Sequence, residues 1–79
     1  MSTTDPLVGD LVIRQQGPFK VGLFLVMADE SERPHRSFVT VSEALAYARQ
    51  HAELGRVDVW VASGYAARST RVVAGRSAA

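Results

Sequence analysis

The sequence predicts an α+β domain in which a three- to five-stranded antiparallel sheet carries one helix on one face, in the order β-β-(β)-α-β-(β). Apolar residues alternate with other residues in 7–16, 19–28 and 57–63, which is the period of a strand. In 41–54 they recur at helical spacing instead. The chain has 79 residues, of which 47% are hydrophobic and 22% charged, as expected for one small globular domain.

The first two strands are predicted at 7–16 and 19–28. Gln16, Gly17 and Pro18 lie between them, and glycine and proline favour a turn. The two segments therefore form a predicted hairpin. Residues 29–36 are rich in charge and contain a proline, which predicts a loop, and 37–39 are a possible short third strand.

A capping box predicts the start of the helix. The Thr40 hydroxyl can accept from the Glu43 amide, and the Glu43 carboxylate can reach back to the Thr40 amide. Gly55 is expected to end the helix in a left-handed conformation. The face predicted to pack on the sheet carries Val41, Ala44, Leu45, Ala48 and Ala52.

The chain closes with a strand at 57–63, which is rich in branched residues, and a possible last strand at 68–74. These elements place a single domain at 7–74. The polar residues 1–6 and the residues 75–79 are expected to be flexible ends.

Alternate residues of each strand point to opposite sides, so the strand residues divide into two faces of the sheet. One face is uniformly apolar and is expected to lie under the helix; it carries Leu11, Ile13, Val21, Leu23, Leu25, Val57, Val59 and Val61. The other face is also too apolar for bare solvent, and the chain has one helix to cover both. The interface residues predicted on this helix-free face are Val12, Phe24, Val26, Trp60 and Val72.

The function that follows is a non-enzymatic homodimer or protein-interaction module that uses the helix-free face. One alternative is that the loops or chain ends cover this face. Another is nucleic-acid binding by basic residues of the sheet and of the 64–71 turn, namely Arg14, Lys20, Arg68 and Arg71. A net charge of +1 is low for a protein that binds DNA by neutralising phosphates.

No sequence motif specifies an enzyme. The chain lacks a Walker loop, a dinucleotide fingerprint and a nucleophile elbow, and no motif places a partner beside a histidine. Asp29, Glu30 and Glu32 are interpreted as a solvated loop rather than a metal site, His35 as exposed, and His51 as a partly buried packing residue. We therefore predict no cofactor and no metal.

Two further features of the sequence bear on association and on cellular location. There are no cysteines, so disulfides cannot compensate for a small core, and association is a common remedy. The longest apolar run, residues 23–28, is far below the roughly 20 residues that span a bilayer, and no signal peptide is visible. The expected location is the cytoplasm, without membrane attachment.

The segment Phe38-Val39-Thr40-Val41-Ser42-Glu43-Ala44 resembles the F-x-T-x-x-E-A step that joins a β-meander to a helix in two groups of bacterial domains. One is domain of unknown function 2188. The other is the arm-type N-terminal DNA-binding domain of phage integrases, and the similarity extends over about residues 10–63. The second resemblance implies a sheet that enters a DNA groove, with contacts from Arg14, Lys20 and Arg71.

Overall fold

The computed structural model describes residues 6–29, 31–62 and 69–75. These residues form one helix and a five-stranded sheet, which confirms the predicted α+β class. The elements in chain order are β1 (Leu11–Gly17), β2 (Lys20–Val26), β3 (Glu32–Phe38), α1 (Val41–Gly55), β4 (Asp58–Ala62) and β5 (Ser69–Ala74).

The sheet is mixed, so the prediction of a wholly antiparallel sheet is wrong. Its strand order is β3-β2-β1-β4-β5, and β4 pairs with β1 in parallel while the other pairs are antiparallel. The reason lies in the connection. Two hairpin steps make β3 run in the same direction as β1, and α1 then returns the chain to the end of the sheet where β3 begins. β4 therefore enters beside β1 with the direction of β1.

The third strand is longer than predicted. It occupies most of the segment expected to be a charged loop, and Pro34 lies inside it. Proline is tolerated there because β3 is an edge strand, where a missing N–H costs no ladder bond. The register also changes at this point. Leu23 pairs with Arg36 and Phe24 pairs with Pro34, so His35 is an extra residue in a β-bulge.

The helix packs on the predicted face of the sheet. Ala44, Ala48 and Ala52 are fully buried, and their small side chains let α1 lie close to the strands. The core beneath them contains Leu11, Ile13, Val21, Leu23 and Val59. Burying side chains of this size stabilises the fold by about 1.5–3 kcal/mol each.

Both ends of α1 have identifiable caps. Thr40 Oγ1 accepts from the Glu43 N–H at 3.2 Å, which is the first half of the predicted capping box. At the other end the expected left-handed residue is displaced by one position. Gly55 is the last helical residue, and Arg56 adopts φ 53° and ψ 50° while its N–H donates to the Ala52 carbonyl.

Replacing Arg56 with glycine should stabilise the protein by about 0.5–1 kcal/mol, because glycine adopts the left-handed conformation without the penalty that a Cβ brings. Urea unfolding followed by circular dichroism measures this gain. Arg56→Ala is the control, since it removes the same side chain but keeps the Cβ. An equal gain in both variants would contradict the assignment of strain to the backbone.

The predicted tail begins with a residue that belongs to the folded domain. Gly75 is buried, and a Cβ there would overlap the Val57 carbonyl oxygen and lie 2.8 Å from the Ala52 carbonyl oxygen. The absence of a side chain thus lets the end of β5 pack against the end of α1. The remaining predicted tail, 76–79, and the predicted flexible residues 1–5 lie outside the described residues.

Candidate binding surfaces

The helix-free face is covered within the chain to a greater extent than the sequence predicts. Val12, Trp60 and Val26 are 0%, 2% and 6% exposed, and they pack with Ala62 and the half-buried Phe24. The premise that these three side chains are bare is therefore incorrect. Of the five predicted interface residues, Phe24 keeps part of its surface and Val72, at 43%, is exposed.

A buried carboxylate holds this face together. Asp10 is fully buried, and its Oδ2 accepts from the Trp60 indole Nε1 at 3.0 Å and from the Leu7 N–H at 2.9 Å. Its Oδ1 accepts from the Asp58 N–H at 3.1 Å. The chain before β1 is thereby tied to the start of β4. Asp10 is not among the residues predicted to be functional, although an acid among apolar residues next to a strand is a visible signal.

Two of the predicted nucleic-acid contacts are arginines that already have carboxylate partners. Arg14 donates through Nε and Nη2 to the two Glu32 carboxylate oxygens at 2.7 and 2.6 Å, across the intervening strand β2. This hydrogen-bonded pair lowers the pKa of Glu32 and raises that of Arg14. Arg71 Nη1 lies 3.6 Å from Asp58 Oδ2.

The other two predicted contacts remain separate from these pairs. Lys20 is exposed at the start of β2, and Arg68 lies outside the described residues. Within the described residues, the predicted basic contacts therefore do not form a cluster of unpaired cations. A phosphate approaching the sheet would have to compete with Glu32 for Arg14 and with Asp58 for Arg71.

The acidic segment after β2 forms a local turn. The Asp29 carboxylate accepts from the Ser31 N–H at 3.1 Å and from the Ser31 hydroxyl at 2.5 Å, and these bonds lower the pKa of Asp29. Glu32 is held by Arg14, and Glu30 lies outside the described residues. Across the described ranges, three or more histidine or acidic side chains never converge in a way that would hold a metal ion.

A second surface, on the helix side of the sheet, was not predicted. His35, Arg36, Phe38, Tyr47 and His51 form this β3–α1 patch. The bulge makes this patch possible, because it lets the consecutive residues His35 and Arg36 both reach the side of the sheet on which α1 lies. Tyr47 and His51 are four residues apart and so share one face of the helix.

The patch is built around the Tyr47 ring. His51 lies 4.5 Å from it, Phe38 5.4 Å and His35 6.0 Å, measured between ring centroids. The Tyr47 hydroxyl lies 3.4 Å from His35 Nε2. Both histidines are exposed, so the prediction of an exposed His35 is confirmed and that of a partly buried His51 is wrong.

Arg36 connects the patch to a groove at the tip of the β1–β2 hairpin. Its guanidinium carbon lies 4.9 Å from the Tyr47 ring centroid and 5.9 Å from that of Phe38. The groove has a volume of about 490 Å³, and its lining includes Phe19, Lys20, Arg36, Phe38, Val39 and Glu43. Phe19 in this lining is 80% exposed.

Comparison with known proteins leaves the fold and these surfaces as the basis for assigning function. No protein-family model matches the chain, and no curated protein or solved structure matches it. The two resemblances at residues 38–44 therefore stay predictions. The described part of the chain contains no helix that is both long enough and apolar enough to span a bilayer.

Proposed function

We propose that this chain is a non-enzymatic protein-interaction module that forms a homodimer through the edge of β5. The observation that carries the proposal is the difference between the two edges of the described sheet, β3 and β5. A strand edge presents unpaired N–H and C=O groups, and proteins that stay monomeric protect such edges with charge, proline or bulges. The β3 edge has all three of these protective features, and the β5 edge has fewer.

The protected edge is β3. Its sequence places Glu32, Arg33 and Arg36 along seven residues, with Pro34 removing one N–H and a bulge at His35 interrupting the register. Addition of another strand along β3 would therefore leave hydrogen bonds unmade. We infer that β3 does not pair with another chain.

The less protected edge is β5. Its six residues, Ser69–Ala74, include a threonine and two valines and no proline. The charge of its one arginine, Arg71, is compensated by Asp58 on the neighbouring strand. One bulge, at Val72, is the remaining protection, and Val72 exposes 43% of its surface.

A second copy of the chain is the partner that this edge suits best. Two β5 strands related by a two-fold axis perpendicular to the sheet would pair antiparallel and would extend it to ten strands. Both α1 helices would then lie on the same side of the joint sheet. The last turn of α1 packs beside the end of β5, and Leu54 in that turn is 87% exposed.

The mass in solution tests this proposal. Light scattering coupled to gel filtration should give twice the chain mass of 8.6 kDa at high protein concentration. Val72→Lys should shift the species to the mass of one chain, because a lysine on an edge strand opposes strand addition. Circular dichroism verifies that the variant is folded.

Phe19→Lys is the matched control, because it makes the same kind of change at an exposed apolar residue in the β1–β2 turn, away from β5. This variant should remain a dimer. A wild-type protein that has the mass of one chain at every concentration would overturn the homodimer. A Val72→Lys variant that dimerises as well as the wild type would overturn the β5 interface.

A further inference from the structure

We infer that the β3–α1 patch binds a carboxylate side chain in an acidic segment of another protein, and that Arg36 is the residue that receives the carboxylate. This inference does not depend on the homodimer, since the patch lies at the β3 end of the sheet and β5 is the opposite edge.

The state of Arg36 is the central observation. Its guanidinium is positioned over the rings of Tyr47 and Phe38, and it is exposed. Among the described residues no carboxylate lies within 4.0 Å of it, whereas Arg14 and Arg71 both have such a partner. A guanidinium stacked on rings keeps its N–H donors available in a fixed plane, which suits a carboxylate.

The surroundings of Arg36 offer both polar and apolar contacts. Histidine and tyrosine side chains around it, His35 and Tyr47, can donate hydrogen bonds to a ligand. The adjoining groove presents the exposed apolar side chains Phe19 and Val39, which are 80% and 52% exposed. A ligand that fits therefore carries a negative charge next to an apolar side chain, as in a peptide with alternating acidic and apolar residues.

The charges of the groove favour a protein segment over a nucleic acid. The lining of the groove contains two basic side chains, Lys20 and Arg36, and one acidic side chain, Glu43. A strand of nucleic acid carries a phosphate at every nucleotide and is held by neutralising several of them. One carboxylate with apolar neighbours matches this surface better than a continuous row of phosphates does.

Titration with matched peptides tests the inference. The probe is acetyl-Glu-Leu-Glu-Phe-amide, and its neutral counterpart is acetyl-Gln-Leu-Gln-Phe-amide. In ¹H–¹⁵N correlation spectra the acidic peptide should shift the signals of Arg36, Phe38 and Tyr47, and the neutral peptide should bind at least about tenfold more weakly. Arg36→Gln should weaken binding of the acidic peptide by a similar factor.

Two variants separate a specific site from general charge. Arg33→Gln removes another exposed arginine from the same strand, and it should change the Kd by less than about twofold. Arg36→Lys keeps the charge but loses the planar fork, so its binding should fall between wild type and Arg36→Gln. Equal binding of both peptides, or equal losses at Arg33 and Arg36, would overturn the inference. Tighter binding of a short oligothymidylate than of the acidic peptide would assign the patch to nucleic acid instead.

Discussion

Replacing Asp10 with alanine should strongly destabilise the protein. The change removes an acceptor from two buried N–H groups, those of Asp58 and the Trp60 indole, and from the partly buried N–H of Leu7. A buried donor left without a partner costs about 1–3 kcal/mol, so the loss of the acceptor for two of them is expected to cost about 2–6 kcal/mol. A domain of this size has a total stability of roughly 4–12 kcal/mol, so this loss removes a large part of it.

Unfolding in urea, followed by tryptophan fluorescence and by circular dichroism, measures this loss. The protein contains a single tryptophan, Trp60, so the emission reports the environment of the Asp10 contact directly. Asp10→Asn keeps the shape and one acceptor oxygen and should lie between wild type and Asp10→Ala.

Asp29→Ala provides the matched control for Asp10. Asp29 also accepts two hydrogen bonds, but within an exposed turn where water can replace them. Its loss should change stability by less than about 0.5 kcal/mol. If the free energy of unfolding of Asp10→Ala lies within about 1 kcal/mol of the wild-type value, the carboxylate does not hold the start of β4 as described.

Truncation of Trp60 to alanine should destabilise the protein by about 3–5 kcal/mol. The ring is 2% exposed and is the largest member of the cluster on the helix-free face, where it packs with Val12 and Val26. Its removal leaves a cavity and also takes the indole donor away from Asp10. Thermal unfolding by circular dichroism measures the effect without using the lost fluorophore.

Two comparisons show whether the loss comes from packing. Trp60→Phe retains most of the ring volume and should lose about 1–2 kcal/mol less than Trp60→Ala. Val72→Ala, at an exposed position, should be nearly neutral. A Trp60→Ala variant as stable as Val72→Ala would show that this face is not a core. A charged substitution at Trp60 is therefore expected to unfold the chain, and it cannot serve as a probe of dimerisation.

The sequence predicts the parts of the fold that follow from local periodicity. Alternation assigned Leu11, Ile13, Leu23 and Val59 to the face that α1 covers, and the threonine at position 40 marked the start of the helix; both are confirmed. These features depend on residues close in the chain, so a single sequence contains them.

The remaining features depend on residues that are distant in the chain. The parallel pairing of β1 with β4 depends on the path of the helix, and the burial of Trp60 depends on Asp10, which precedes it by 50 residues. The β3–α1 patch depends on a one-residue bulge inside a segment whose charge and proline indicate a loop. Tyr47 and His51 were visible as a pair on one helix face, but nothing local placed His35 beside them.

The position of β4 has a consequence for synthesis on the ribosome. β1 lies between β2 and β4, so its second edge stays open until residues 58–62 have left the exit tunnel. The earlier hairpin and helix can form first, because their contacts are local. A nascent chain at that stage exposes the backbone of an apolar strand to neighbouring chains. The emergence of β4, which fills this gap, therefore closes an edge that could otherwise pair with neighbouring chains.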